Sequence, residues 1–354
     1  MARKANRKNA GAPVAALVVL VLLLALGSVL LPQEQTAQTY PDGELQVWFL
    51  DVGQADASLL LCDGEAMLID GGNVDDASYV VASLAQYGVT SLDYVINTHC
   101  DEDHVGGLAG VLARFPAEHV WSSTTEYGTR AFSNFLKYAG EQGKQVELPS
   151  AGDTFQLGGA EVTVLGPLRD YENNNENSIV LRVDYGDTSF LFTGDMGVTA
   201  EDELVESGAK LDATVLKVGH HGSAGSTGYV FLREVMPEYG VISVGADNSY
   251  GHPTEAALSR LRDADVKLFR TDLQGVVHAV SDGKSVIFET ERTAADAQIN
   301  PTIEDAPQIY IGNKNSRIFH VSTCRSCPAE QNQVRFETVW DAMAQGYRAH
   351  SCVE

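Results

Sequence analysis

The sequence is short of positive charge. Its 354 residues contain 24 lysines and arginines against 48 aspartates and glutamates, a formal net charge of −24. The deficit lies in residues 32–308, where the same count gives a net charge near −29. Nucleic-acid-binding domains normally present a stripe of basic residues. This composition therefore argues against binding of a phosphate backbone through the protein's own side chains. Metal ions would have to draw in any anionic substrate.

Cysteine is scarce as well. The five cysteines are an odd number and three of them lie within the last 31 residues, which excludes a dispersed disulfide framework. Outside the cytoplasm a disulfide remains open, and Cys324 with Cys327 is the pair we would expect to form it. The sequence contains no internal repeat and no low-complexity tract.

Long hydrophobic runs are limited to one, the uncharged segment 13–31. At the helical rise per residue it nearly spans a bilayer core, so it predicts a transmembrane helix. By the positive-inside rule we expect residues 1–12 in the cytoplasm and the body outside the cell, anchored by a single pass. The alternative is a cleaved signal peptide, which would make the protein secreted. The basic residues ahead of the run are Arg3, Lys4, Arg7 and Lys8.

The rest of the chain divides by pattern. Residues 44–290 open with three strand-like runs of a β-meander and then alternate strands with helices, in two strand-rich halves. This predicts an α/β fold, a two-sheet αββα sandwich. Residues 32–43 are a polar linker, and residues 291–308, with scattered charges and two prolines, are a second one. Residues 309–354 form a small separate module.

The segment 98–107 places four candidate metal ligands within six residues. It follows a predicted strand and ends in Gly-Gly at a predicted helix start. Alternate residues of an extended loop point the same way, so His99 and Asp101 can share one ion while Asp103 and His104 reach a second. Two such ions can stabilise both oxygens of a displacement reaction. An acidic surface loop with two histidines is the alternative.

Polar side chains also end later strands. Asp195 ends the apolar run FLFTGD, where a carboxylate is costly unless a cation meets it. His220 and His221 end another strand, and His252 lies just past a third. Each is explicable alone as a turn residue, whereas together with the loop they predict a metal site.

With these segments in this order, the chain resembles the metallo-β-lactamase superfamily and, within it, the C-terminal hydrolase domain of ComEC-type competence proteins. The resemblance covers about residues 45–288. It is carried by FLDVGQADASLL, LIDGG, THCDEDHVGG, NENSIVLRVDYGDTSFLFTGDM, LKVGHHGSAGST and VISVGADNSYGHPTEAAL.

The resemblance implies a hydrolase with two divalent metal ions, and phosphodiester cleavage of DNA as its reaction. Asp195 would bridge the ions, and Asp103 and His252 would be catalytic. The implied metal ligands are His99, Asp101, Asp103, His104, Asp195 and His220. Accessory residues would be His221, Asn174, Asn177 and Ser223.

Two departures from the family pattern affect these expectations. Asp101 stands where the superfamily's first motif usually has a second histidine, and no histidine lies between His119 and His220 to complete the first ion's ligands. Carboxylate in place of imidazole shifts preference from Zn²⁺ toward Mn²⁺, so either metal is expected. ComEC-type proteins also carry a multi-helix channel, which one apolar run cannot supply.

The C-terminal module contains a second candidate metal site. His320, Cys324, His350 and Cys352 have spacings that suggest a small structural zinc site. The flanking residues resemble the metal-binding domain of Ada repair proteins, although the second half is one residue short. Cys327 could substitute as a ligand, or could pair with Cys324 in a disulfide-tied module.

The sequence as a whole predicts an exported or membrane-anchored metal-dependent phosphodiesterase or nuclease that acts on DNA outside the cytoplasm. One alternative is a hydrolase of another ester, a lactone or a cell-wall phosphodiester, because fold does not dictate substrate. Another is a degenerate metal fold that serves as a surface binding module. No pattern indicates a protein partner.

Overall fold

The computed structural model describes residue 1 and residues 43–301, 309–322, 324–336 and 338–353. No helix in these ranges is long and apolar enough to cross a bilayer. The predicted membrane segment 13–31 lies outside the described residues.

Fourteen strands build the main domain. In chain order they are β1 Leu45–Phe49, β2 Ser58–Cys62, β3 Glu65–Ile69, β4 Leu92–Asn97, β5 Ala117–Ser122, β6 Thr154–Leu157, β7 Ala160–Gly166, β8 Val180–Tyr185, β9 Thr188–Phe192, β10 Val215–Lys217, β11 Tyr239–Ile242, β12 Lys267–Arg270, β13 Val277–Ser281 and β14 Val286–Thr290.

These strands form two seven-stranded sheets, ordered β14-β13-β1-β2-β3-β4-β5 and β12-β11-β10-β9-β8-β7-β6. The first three strands form the predicted antiparallel meander. Strands β3 to β5 and β9 to β12 run parallel, so their carboxyl ends share an edge. Loops at such edges are where α/β folds place functional side chains.

Helices cover the outer face of each sheet. The first sheet is covered by α1 Ala77–Gln86, α2 Glu102–Val105, α3 Leu108–Arg114 and α4 Arg130–Glu141, and the second by α5 Val198–Ser207, α6 Tyr229–Val235 and α7 Glu255–Asp263. Two short helices follow, α8 Thr271–Gln274 and α9 Asp296–Ile299. The predicted α/β sandwich of the αββα type is confirmed.

Strand β1 shows why the layers pack. Val47 and Phe49 point into the core between the sheets, while Trp48 points to the core under the helices. Because side chains alternate along a strand, a strand buried on both faces is apolar at most positions, and in β1 the one polar residue, Gln46, is only partly buried. Burying a side chain such as Phe49 contributes about 1.5–3 kcal/mol.

The C-terminal module is a small four-stranded sheet with one helix. Its elements are β15 Tyr310–Asn313, β16 Ile318–Val321, β17 Gln333–Phe336, α10 Val339–Ala344 and β18 Arg348–Ala349, with sheet order β17-β15-β16-β18. It packs its own core around Phe319 and contacts Tyr229 of α6. Within the predicted linker, Ile299 is buried against the second sheet's helices.

Candidate metal centre

The loop after β4 is held close to the end of β3 by glycines. A Cβ atom at Gly107 would lie 2.0 Å from the backbone oxygen of Gly71, so a larger residue would push the two segments apart. The Gly71 amide donates to the backbone oxygen of His104 at 2.8 Å. These contacts fix where the loop of residues 98–101 enters α2.

Asp70, at the end of β3, orients His104. The Asp70 side chain is buried and accepts hydrogen bonds from the Thr98 amide and hydroxyl at 2.8 and 2.7 Å. Its Oδ2 lies 2.8 Å from His104 Nδ1. Because a carboxylate only accepts, the imidazole proton is on Nδ1 and the Nε2 lone pair remains free for a cation.

The second sheet supplies Asp195 and two histidines from neighbouring strand ends. Asp195 follows β9 and is 3% exposed. His220 and His221 follow β10, and both have left-handed backbones with φ of 48° and 52°. Such a backbone costs a non-glycine residue about 1–2 kcal/mol, so the surrounding packing must offset this strain. The turn leaves the His220 side chain 31% exposed and the His221 side chain 1% exposed.

Four side chains form what we name the inner donor group: Asp103, His104, Asp195 and His221. One ligand atom from each lies within 4.8 Å of the others. His104 Nε2 is 3.3 Å from Asp195 Oδ1, and His221 Nε2 is 3.3 Å from Asp103 Oδ2. His221 Nδ1 is 2.9 Å from the backbone oxygen of Ser243, which leaves Nε2 for the group.

Three further side chains form the outer donor group: His99, Asp101 and His220. His99 Nε2 lies 3.6 Å from Asp101 Oδ2, and His220 Nε2 lies 3.5 Å from Asp195 Oδ2. Asp195 therefore turns Oδ1 toward His104, while its Oδ2 lies close to both His220 and His221, 3.6 Å from His221 Nε2. This is the arrangement expected of a carboxylate that bridges two ions.

Asp101 is the most exposed of these donors, with 41% of its side chain accessible. Two polar groups hold it: Asn174 Nδ2 donates to Asp101 Oδ1 at 2.9 Å, and the Tyr127 hydroxyl donates to the same oxygen at 3.2 Å. Oδ2 remains directed to His99. Asn174 thus reaches the site through Asp101.

Buried polar atoms of both groups lack hydrogen-bond partners among the described residues. They are the Nε2 atoms of His99, His104 and His221 and Oδ1 of Asp195. Each buried polar group left unpaired costs about 1–3 kcal/mol. Imidazole nitrogens and carboxylate oxygens are the donors that divalent zinc and manganese take. The residues present therefore fit a pair of metal ions.

The charges of the donors also offset one another. Burial lowers the pKa of His221, but the carboxylates of Asp195 and Asp56 outweigh burial and raise it to about 10. Burial raises the pKa of Asp195, but His104 and His221 outweigh it and hold this pKa well below its usual value. A bound cation displaces the imidazole protons, so metal binding releases protons.

A cleft of about 520 Å³ opens over both donor groups. In the part of the chain that the structure describes, no lysine or arginine lines it. An anionic group in this cleft therefore meets no protein cation except a protonated histidine. The lining residues are Gln54, Asn73, Asp101, Glu102, Asp103, Asp195, His220, His221, Tyr250 and His252.

Residues 50–246, which contain both donor groups, match the family model described as the metallo-beta-lactamase superfamily. The chain belongs to this superfamily. Its metallo-β-lactamase domain is 35% identical to Competence protein ComA of Neisseria gonorrhoeae over 68% of this chain and 33% of that protein. It is 29% identical to ComE operon protein 3 of Bacillus subtilis over 67% of this chain and 33% of that protein. The chain spans about a third of the length of these curated relatives.

A solved structure with a similar fold is the metallo-beta-lactamase fold protein YhfI from Bacillus subtilis. It is 12% identical, with a TM-score of 0.45, and the match covers 66% of this chain and 99% of that one. The predicted membership of the metallo-β-lactamase superfamily and the predicted similarity to ComEC-type competence proteins are confirmed.

In this metallo-β-lactamase domain the two adjacent histidines differ from expectation. The sequence predicts His220 as a ligand and His221 as an accessory residue. In the fold, His221 is the buried histidine, and it lies beside the other three inner donors. His220 contacts Asp195 from the more exposed side. The left-handed turn determines which of the two imidazoles points inward, and the spacing of residues in the sequence does not predict that direction.

Two predicted accessory residues lie away from the metallo-β-lactamase cleft. Asn177 accepts from the Tyr171 amide at 2.8 Å and donates to its carbonyl at 2.8 Å. The Ser223 hydroxyl accepts from the Gly225 amide at 3.2 Å. Each side chain is used within its own turn and neither lines the cleft, so their accessory role stays a prediction without a contact to the donors.

His252 does line the cleft, as predicted. Its ring centroid is 5.6 Å from that of His220, at an interplanar angle of 81°. Nδ1 is buried and has no hydrogen-bond partner among the described residues. Burial, together with His220 and His221, lowers the pKa of His252, so this imidazole is neutral at neutral pH.

Sequence reasoning missed the residues that support the donors. Asp70 holds His104, and the Ser178 hydroxyl accepts from the Asp195 amide at 3.1 Å. Asp56 forms an ion pair with Lys217 and lies 3.5 Å from His221 Nδ1. The available signal was a charged residue within or beside an apolar strand, at Asp56, Asp70 and Lys217.

The C-terminal module brings its four predicted donors together. Ligand atoms of His320, Cys324, His350 and Cys352 all lie within 4.8 Å of one another. His320 Nδ1 is 3.9 Å from Cys352 Sγ, and His350 Nδ1 is 3.9 Å from Cys324 Sγ. Cys327 lies outside this set, near the Val321 carbonyl, and forms no disulfide with Cys324.

Proposed function

We propose that this chain is a metal-dependent phosphodiesterase that cleaves nucleic acid outside the cytoplasm. The observation that carries the proposal is Asp195, whose carboxylate lies beside histidines of both donor groups at one open cleft. A pair of ions held about one carboxylate suits displacement at phosphorus. The names of the relatives, a competence protein and a ComE operon protein, favour DNA as the substrate.

Each donor group would hold one divalent ion. The inner group has two imidazoles and two carboxylates, which suits Zn²⁺. The outer group has two imidazoles and the exposed Asp101, and with Asp195 shared it also offers two nitrogen and two oxygen donors, so it suits Zn²⁺ or Mn²⁺. When bound, the ions would supply Lewis acidity and activate water.

The chain's own residues orient the reacting groups through hydrogen bonds. Asp103 reaches His221 and faces the cleft, so it is placed to orient the attacking water. His252 lines the cleft beside His220, and its neutral imidazole can donate a hydrogen bond through its one N–H to the leaving oxygen. Asp70 and Ser243 hold the donor histidines in the tautomer that leaves Nε2 free.

Turnover on a defined substrate panel tests this proposal against its rivals. The full chain, loaded separately with Mn²⁺ and Zn²⁺, is assayed on bis-p-nitrophenyl phosphate, DNA oligonucleotides, a cell-wall phosphodiester and a lactone. We expect hydrolysis of the phosphodiesters, lost in Asp195→Ala. Exclusive lactone turnover would support a different hydrolase, and no turnover with both metals bound would support a binding module.

The proposed location depends on the segment 13–31 as an uncleaved anchor. Four basic residues in front of it favour an outward-facing catalytic domain. Protease added to intact cells should then remove the domain. Release of the fragment only after cell lysis would place it inside, and recovery of the domain in the medium would favour a cleaved signal.

For the C-terminal module we propose a structural zinc ion held by its four donors. Two thiolates and two imidazoles are a common tetrahedral zinc set. His320 is buried, and its ring lies 4.3 Å from that of His350, so a cation between the rings and sulfurs would join β16 to the segment that follows β18.

A further inference from the structure

Tyr250 stands at the rim of the metal-site cleft with its ring largely in solvent. Its exposure is 71%, which is high for a large aromatic side chain, and it lines the same cleft as His220 and His252. An exposed aromatic face beside a catalytic cleft is a surface on which a flat ligand can stack.

The rings of this cleft form a continuous path from solvent to the donor groups. Tyr250 and His252 are stacked, with ring centroids 5.8 Å apart and an interplanar angle of 26°. His252 meets His220 edge-on at 5.6 Å, and His220 Nε2 is 3.5 Å from Asp195. A group stacked on the outer ring is therefore two rings away from the donor histidine.

The loop that carries Tyr250 is fixed by one side chain. Asn248 Oδ1 accepts from the amides of Tyr250 and His252 at 3.1 and 3.0 Å. Asn248 Nδ2 donates to the carbonyls of Gly245 and His252 at 2.9 and 2.6 Å. Because these bonds hold the backbone on both sides of Tyr250, the loop is preorganised and loses little backbone freedom on binding.

The protein's own side-chain charges cannot supply the affinity for a nucleic acid here. The cleft wall carries Asp101, Glu102, Asp103 and Asp195. The chain as a whole has a net charge of −24. Base stacking is independent of charge and strengthens binding roughly tenfold or more for each base on an aromatic side chain.

We infer that Tyr250 is a specificity residue that stacks an unpaired nucleobase of the strand whose phosphate is cleaved at the donor groups. A base within a duplex has both faces covered by its neighbours, so the ring favours single-stranded ends over duplex interiors. This inference rests on the proposed phosphodiesterase function and names the part of the substrate that the cleft recognises.

Two oligonucleotides separate base recognition from phosphate recognition. One is an octathymidylate and the other has the same backbone with abasic sites throughout, and KM is measured for both with the metal-loaded full chain. We expect the wild type to show a KM roughly tenfold lower for the octathymidylate. Tyr250→Ala should bring the KM ratio close to one, and Tyr250→Phe should keep the wild-type ratio. Tyr79→Ala, which removes a partly exposed tyrosine on α1, is the matched control and should also keep the ratio.

The outcomes are distinct. Cleavage of both oligonucleotides at equal KM by the wild type overturns the inference and leaves the proposed function standing. A Tyr250→Phe variant that behaves like Tyr250→Ala would assign the effect to the hydroxyl and also overturn it. Absence of cleavage of either oligonucleotide by metal-loaded protein removes the proposed function, and the inference with it.

Discussion

Lys217 of β10 and Asp56 of the loop after β1 form an ion pair that is enclosed by protein on almost every side. Lys217 Nζ is 2.8 Å from Asp56 Oδ2, and the side chains are 3% and 6% exposed. The pair joins one sheet to the other beneath His221. Burial raises the pKa of Asp56, but Lys217 and His221 outweigh it and hold this pKa far below its usual value.

Removing one member of this pair should strongly destabilise the fold. Lys217→Met leaves the Asp56 charge buried without its partner, and we expect the free energy of unfolding to fall by about 3–5 kcal/mol. The double variant with Asp56→Asn should recover much of this loss. Urea unfolding measures both. The exposed pair of Lys137 and Glu141 is the control, and Lys137→Met should change stability by less than about 1 kcal/mol.

Loss of an inner donor should abolish hydrolysis while the domain stays folded. Asp103→Ala and His104→Ala each remove a metal donor, and without the ion the remaining carboxylates repel one another, so some stability is lost as well. Activity on a small phosphodiester and circular dichroism report the two effects. His119→Ala, whose ring contacts Glu147 outside the cleft, should retain activity. Full activity in both donor variants would rule out this metal site.

The two adjacent histidines should differ in their effect on metal content. His221 belongs to the inner donor group, so His221→Ala should reduce bound metal by about one ion per chain. His220 is partly exposed and its group retains His99 and Asp101, so His220→Ala should weaken binding of the other ion with a smaller loss. Elemental analysis across a metal titration distinguishes them. A larger loss in His220→Ala would reverse the assignment.

Glu201 should give the fold a pH dependence of its own. It is buried and accepts backbone hydrogen bonds from Thr227 and Gly228, and burial raises its pKa from 4.5 to about 7. A raised folded-state pKa means that its stabilising contribution is complete below about pH 4.5 and is lost as pH rises through 7. The difference amounts to about 3 kcal/mol.

Denaturant unfolding measured between about pH 5 and pH 8 checks this expectation. Glu201→Gln cannot titrate, so its stability should fall less over this range than that of the wild type. Glu234→Gln, at an exposed position, should leave the wild-type profile unchanged. Parallel profiles for the wild type and Glu201→Gln would show that Glu201 does not bind a proton in this range.

The three C-terminal cysteines allow a controlled test of the proposed zinc ion, because two of them belong to the donor set and one does not. Cys324→Ser and Cys352→Ser each remove a donor, and we expect about one zinc ion less per chain and faster hydrogen exchange in residues 309–354. Cys327→Ser removes a thiol outside the donor set and should change neither quantity. Equal zinc loss in all three variants would make Cys327 a ligand instead.

The sequence predicted the parts of this site that are encoded locally. His99, Asp101, Asp103 and His104 are adjacent in the chain, and Asp195 stands out as a carboxylate at the end of an apolar strand. The sandwich followed from apolar runs alternating with helical patterns. These observations need no knowledge of how distant segments meet.

The supporting residues are different, because their role arises only when the sheets pack. Asp56 lies in a loop of the first sheet and Lys217 on a strand of the second, and Asp70 acts through a histidine 34 positions later. The inward direction of His221 depends on two backbone angles that the residue types do not favour. These contacts and backbone angles exist only in the assembled fold, so no local pattern in the sequence predicts them.

The carboxylate-lined cleft has a kinetic consequence. Most proteins that bind polyanions associate more slowly as salt is added, because attraction guides the encounter. Here the negative charge of the protein repels a polyanion and slows association. Dissolved salt screens this repulsion beyond roughly 8 Å at physiological ionic strength. If the proposed function holds, a nucleic acid strand should therefore associate faster as the ionic strength rises, until competing ions bind at the metal donors.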